Sequence, residues 1–308
     1  MKVLFLFLDG VGLGEDRPEF NPLARAAMPT LRSLLDGRRL LRGDAPYHGK
    51  DASLLALDAS LGVDGLPQSA TGQAALLTGV NVPAQLGYHY GPKPNPEVAA
   101  YLNGQTIFSR LRARGYRAAL LNAYPPRYFQ AIQSGRRLYS AIPMAVTGAG
   151  YPLFTHEDLM AGRALSADFT GQGWRDHLGF QNVPLLAPEK AGHRMASLAE
   201  EYTFALFEYW ASDYAGHRQD MAWACRQLET IDRVLAGLLE AWAGREDYLL
   251  LLTSDHGNME DLSTRRHTAN PVPCLLIGAK AVRNASLERL HDLTDIVPFL
   301  LEVLWKGQ

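Results

Sequence analysis

Short, uninterrupted apolar runs recur along the chain at 2–8, 117–121, 203–210, 248–253 and 273–277. Their length and lack of alternation predict strands buried on both faces. Between them, apolar residues return at three- and four-residue spacing over 30–35, 106–114, 221–243 and 293–304, the period of helices with one covered face. The alternation of the two patterns predicts an α/β fold, with a mostly parallel central sheet and helices on both faces. From about 90 to 200 the pattern is less regular and rich in Pro, Gly, Tyr and Arg. That stretch reads as part core and part small irregular lid, within a single domain spanning 1–308.

Composition adds mainly exclusions. A hydrophobic share of 47% and a charged share of 20% describe an ordinary globular chain, and a formal net charge of −2 gives no general attraction to nucleic acid or anionic membranes. An anionic ligand must therefore be held by local charges. The two cysteines, Cys225 and Cys274, fall in a helical pattern and an apolar run, as reduced thiols do. The apolar opening meets Asp9-Gly10 where a signal peptide would carry a small-residue cleavage site, so it reads as a first strand. No apolar run approaches the roughly eighteen residues of a membrane span, and the cytoplasm is the expected location.

Three of the apolar runs lead into aspartates: Asp9, Asp213 and Asp255. In a parallel sheet the ligand crevice lies beyond the carboxyl ends of the strands, so these carboxylates are expected to gather at one edge. Any one alone would be an ordinary cap or turn residue. Histidines accompany them: His217 lies four residues after Asp213, His256 adjoins Asp255, and His267 comes after a polar loop. Carboxylate and imidazole are ligands that Zn²⁺ and Mn²⁺ accept, and this set suffices for two open sites. Solvated or hydrogen-bonded roles are expected for His48, His156, His177, His193 and His291, while His89 stays undecided.

Pro67-Gln68-Ser69 precedes a small apolar helix, which puts Ser69 near a helix N-terminus, where free N–H groups favour an anion. An N-cap role is the ordinary alternative for such a serine. On composition alone, Thr71 rivals it as a nucleophile. A dinucleotide-binding reading of Gly10-Val-Gly-Leu-Gly14 fails on spacing, with Asp9 standing where a glycine is expected.

Five ordered segments resemble the alkaline phosphatase superfamily: Phe7-Leu-Asp9-Gly10, Ser69 to Gly79, Asp213-Tyr-Ala-Gly-His217, Ser254-Asp-His-Gly257, and His267-Thr-Ala-Asn-Pro-Val-Pro273. The last two are most similar to cofactor-independent phosphoglycerate mutases. The Ala-Leu-Leu-Thr-Gly79 tail is similar to the sulfatase and nucleotide pyrophosphatase/phosphodiesterase branches, whose nucleophile stands ten residues before that glycine, at Ser69. The 293–298 stretch resembles a helix found late in these domains. The resemblance implies two divalent ions, zinc or manganese with magnesium as a third option. Asp9, Ser69, Asp255 and His256 would hold one, and Asp213, His217 and His267 the other. It also implies attack by Ser69 on phosphorus through a phosphoserine intermediate.

Mutases carry a histidine where Gln73 stands, together with a large inserted domain that this length does not accommodate in full. Sulfatases need a convertible residue with arginine four places on, again at position 73. A metal-dependent phosphatase or phosphodiesterase acting on a small phosphate ester is therefore expected, with a phosphomutase bearing a reduced cap as the alternative. Gln73, Arg127, Arg265 and Arg266 are the candidate substrate contacts. Neither a nucleic-acid polymer nor a membrane is an expected partner, and the sequence sets no oligomeric state.

Overall fold

The computed structural model describes residues 1–306. Seven strands form one sheet: β1 (Lys2–Leu8), β2 (Tyr47–His48), β3 (Ala52–Leu57), β4 (Ala118–Leu120), β5 (Phe204–Tyr209), β6 (Tyr248–Thr253) and β7 (Val272–Gly278), in the order β2-β3-β7-β6-β1-β5-β4. β1 pairs in parallel with β5 and β6, and β4 with β5, while β7 is antiparallel to both β6 and β3. Hence β1, β3, β4, β5 and β6 share one direction, and β7 and β2 oppose it. The sheet is mixed but mostly parallel.

Alternation along β1 explains its unbroken apolar run. Val3, Phe5 and Phe7 enter one core, and Leu4, Leu6 and Leu8 enter the other. The first core is closed by helices α2 (Ser69–Thr78), α3 (Pro96–Leu102), α4 (Ile107–Ala113), α5 (Ala141–Gly148) and α9 (Ile296–Lys306). The second is closed by α1 (Pro29–Leu34), α6 (Pro188–Glu200) and α8 (Met221–Ala241). Between α6 and α8, α7 (Ala211–Arg218) comes directly after β5 and buries Ala211 and Ala215 against the same layer.

Much of the irregular 90–200 stretch is thus helical core. Its remainder gathers around a small satellite cluster of Ala123, Leu159, Ala164, Trp174 and Val183. The reading of 273–277 as a strand holds for β7, but its direction opposes that of its neighbours. Among the described residues, no helix is long and apolar enough to cross a membrane.

Candidate metal centre

Topology gathers the chemistry. β1, β5 and β6 end at one edge of the sheet, and their outgoing segments carry Asp9, Asp213, and Asp255 with His256. Because β7 runs the other way, it begins at this edge, and the loop entering it brings His267. β3 runs with β6, and the loop leaving it delivers Ser69 as the first residue of α2. Residues spread from 9 to 267 therefore meet.

The Ser69 Oγ lies 2.9 Å from His256 Nε2, which is 3.4 Å from Asp9 Oδ1 and 3.6 Å from Asp255 Oδ2. Beside this group, Asp213 Oδ2 is 3.3 Å from His217 Nε2, and Asp213 Oδ1 is 3.7 Å from His267 Nε2. The His256 and His267 rings stack with centroids 3.8 Å apart. Ligand atoms of Asp213, His217 and His267 all lie within 4.8 Å of one another, as do those of Asp9, Asp213 and His256.

Two features fit a cation. Each imidazole bonds a backbone carbonyl through Nδ1, His217 to Arg265 at 2.8 Å, His267 to Pro67 at 2.8 Å and His256 to Gly257 at 3.3 Å, which aims every Nε2 into the cluster. The buried Oδ1 of Asp9 has no hydrogen-bond partner, and an unpartnered buried oxygen is costly unless positive charge meets it. Burial, with the charge of Asp255, raises the Asp9 carboxyl well above its ordinary range. Burial alone would also raise Asp213, but the His217 hydrogen bond and the charge of His256 hold it at about 2. Burial would lower His256, yet Asp255, Asp9 and Asp213 push it up to about 10. A pocket that draws positive charge onto a fully buried ring is suited to a divalent ion.

Two glycines permit the close approach. Gly10 has φ +66°, and a Cβ there would sit 2.8 Å from the Cβ of Asp213. On α2, a Cβ at Gly72 would sit 2.8 Å from the carbonyl oxygen of Asp255.

The remaining candidates separate. Thr71 is fully buried, its hydroxyl donating to the Gln68 and Tyr90 carbonyls and accepting from Tyr90 N, so it is turned from the cluster. Gln73 is buried beside the cluster, where its amide donates to Asp255 Oδ2 at 2.9 Å. Arg265 donates to Gln219 Oε1, and Arg127 is exposed. Arg266 does line the crevice, a cavity of about 320 Å³ bounded also by Leu66, Gln68, His217 and His267. His89 bonds the Val63 carbonyl, away from this group. Sequence reasoning passed over Asn258, whose amide donates to Asp213 Oδ1 at 2.6 Å, and Glu260; both stand in the run just after Asp255-His256.

Residues 186–305 match the model of the Metalloenzyme superfamily. A 2,3-bisphosphoglycerate-independent phosphoglycerate mutase of Desulforudis audaxviator is 36% identical over 111 residues, 34% of this chain and 21% of that protein. The chain spans 21% to 25% of the length of the curated mutases it matches. In fold, phosphoglycerate mutase of Leishmania mexicana aligns with TM-score 0.59 at 10% identity, covering 98% of this chain and 95% of that one. Alkaline phosphatase from the Antarctic bacterium TAB5 aligns with TM-score 0.57 at 13% identity, covering 99% and 97%. The sheet order, the converging carboxylates and imidazoles, and the matched segment 186–305 agree with one another: the fold is alkaline phosphatase-like, and that segment is similar to the Metalloenzyme superfamily.

Proposed function

We propose that this chain is a metal-dependent phosphoryl-transfer hydrolase, a phosphatase or phosphodiesterase, acting on a small phosphate ester with Ser69 as nucleophile. The observation that carries this reading is the Ser69 hydroxyl, 2.9 Å from His256 and at the first residue of α2, facing a carboxylate–imidazole cluster. Asp9, Ser69, Asp255 and His256 would hold one divalent ion, and Asp213, His217 and His267 a second. The all-oxygen-and-nitrogen donor set suits Zn²⁺ or Mn²⁺, with Mg²⁺ as a third option. Such ions lower the pKa of a bound hydroxyl and neutralise phosphoryl oxygens.

The Ser69 hydroxyl gives its proton to water as its oxygen bonds to phosphorus, and the ester oxygen departs with the electron pair of the broken P–O bond and takes a proton from water. Water then attacks the phosphoserine, releases phosphate and restores the serine hydroxyl. Arg266, which lines the crevice, would meet a phosphoryl oxygen or another anionic group of the ester. The free thiols Cys225 and Cys274 suit a reducing, cytoplasmic setting.

Similarity to phosphoglycerate mutases supports a second reading, a phosphomutase with a reduced cap, in which a second hydroxyl of the substrate replaces water. Incubation with a phosphomonoester and no acceptor separates the two. Stoichiometric release of inorganic phosphate supports the hydrolase, whereas isomerised ester without free phosphate supports the mutase.

A further inference from the structure

Glu260 is 1% exposed and touches none of the seven clustered side chains by hydrogen bond, yet its carboxylate is where their loops meet. Oε2 accepts from the backbone N–H of Gly12 and of Asn258, each at 2.8 Å. Oε1 accepts from Asn270 Nδ2 at 3.0 Å and from the Thr268 hydroxyl. Gly12 lies on the segment leaving Asp9, Asn258 is two residues beyond His256, and Thr268 adjoins His267. The Asn258 side chain continues the connection, donating to both Oδ1 and the carbonyl of Asp213. One carboxylate thus ties together the loops that supply both groups of candidate ligands. The space it fills is kept open by Gly12 and Gly257, where an added Cβ would collide with it.

We infer that Glu260 is a positioning residue of the metal centre, setting the spacing between the two ligand groups, so that occupancy of both depends on a side chain that coordinates neither. This rests on the reading of the cluster as a cation centre. Pairwise backbone bonds, Met259 N to Gly10 O and Thr268 N to Gly257 O, hold neighbouring loops in twos. The side chain of Glu260 brings them into one frame, and partners behind the ligands typically govern metal affinity by about 10- to 100-fold.

The test is calorimetric titration of metal-free protein with Mn²⁺. Asp232 supplies the control: it is also a buried carboxylate at 1% exposure, but it accepts from Thr30 N and Leu31 N at the start of α1. Glu260→Ala should lose about 10- to 100-fold in affinity, and Asp232→Ala should stay within about threefold of wild type. Glu260→Gln should also stay close to wild type, since its amide oxygen still accepts both backbone N–H groups while Thr268 and Asn270 reorient toward its NH₂. Wild-type affinity in Glu260→Ala, an equal loss in Asp232→Ala, or a loss in Glu260→Gln as large as in Glu260→Ala would each overturn the inference.

If Glu260→Ala does not fold, the double variant Thr268→Val, Asn270→Ala leaves both backbone bonds intact. It should weaken one binding event, that of the ion held by His267, and two unchanged events would overturn the inference. Absence of Mn²⁺ binding by the wild type would instead remove the cation centre itself, and this inference with it.

Discussion

The Ser69 Oγ and the His256 Nε2 lie 2.9 Å apart although 187 positions separate the residues in sequence. They meet because β3 and β6 run the same way and send their outgoing segments to one edge of the sheet. Thr71, two residues further along α2, is held by the backbone around Tyr90. The hydroxyl facing the cluster is that of Ser69.

Replacement of that hydroxyl should separate chemistry from binding. Ser69→Ala is expected to lower turnover of an aryl phosphate by on the order of 10³-fold or more while leaving metal content largely intact. Thr71→Val should retain most of the activity. Steady-state assays beside elemental analysis check both, and undiminished turnover in Ser69→Ala would exclude it as nucleophile.

Gln73 acts through Asp255, whose Oδ2 accepts its amide at 2.9 Å. Gln73→Ala frees that carboxylate to turn, so Mn²⁺ affinity should fall by about 10- to 100-fold in titration of the metal-free protein. Unchanged affinity would mean that Asp255 is oriented without it.

The adjacent arginines should behave differently. Arg266 lines the crevice, whereas the Arg265 guanidinium is engaged with Gln219. Arg266→Ala is expected to raise KM for a small phosphate ester by about tenfold, equivalent to about 1.4 kcal/mol, and Arg265→Ala to change it by less than about threefold. Equal effects from the two would remove the assignment of Arg266 to the substrate.

A pH signature is expected from Glu208 on β5. Burial, and then the charge of Asp255, raise its carboxyl from 4.5 to about 7, against the Tyr124 hydrogen bond. Because the folded chain holds this proton more tightly than the unfolded one, the stabilising contribution is complete below about pH 4.5. It is lost as pH rises through about 7, by ~3 kcal/mol in all. Denaturant unfolding of wild type and Glu208→Gln across that range checks it: the gap between them should shift in favour of the Gln variant as pH rises. A constant gap would contradict it.

The strand ends and their aspartates were legible because buried parallel strands write continuous apolar runs, and the crevice at their carboxyl ends gathers the residues just beyond them. β3 escaped notice since Ala52-Ser-Leu-Leu-Ala-Leu57 carries no β-branched residue and suits a helix equally well. α6 was hidden because Ala191, Gly192, Ala196 and Ala199 in its buried stripe are small-sided, leaving Met195 and Leu198 to carry the apolar period. The direction of β7 cannot be read from an apolar run, yet it is what brings His267 to the edge. The roles of Gln73 and Glu260 depend on contacts 182 and 248 positions away, which no local spacing records.

The most direct test is the stoichiometry of divalent metal in the purified chain, by elemental analysis after equilibration with Mn²⁺ or Zn²⁺, for wild type and for Asp213→Asn with His267→Ala. About two ions per wild-type chain are expected, falling to about one in the double variant. No bound metal in the wild type, or the same content in both proteins, would contradict a centre built from Asp9, Ser69, Asp213, His217, Asp255, His256 and His267.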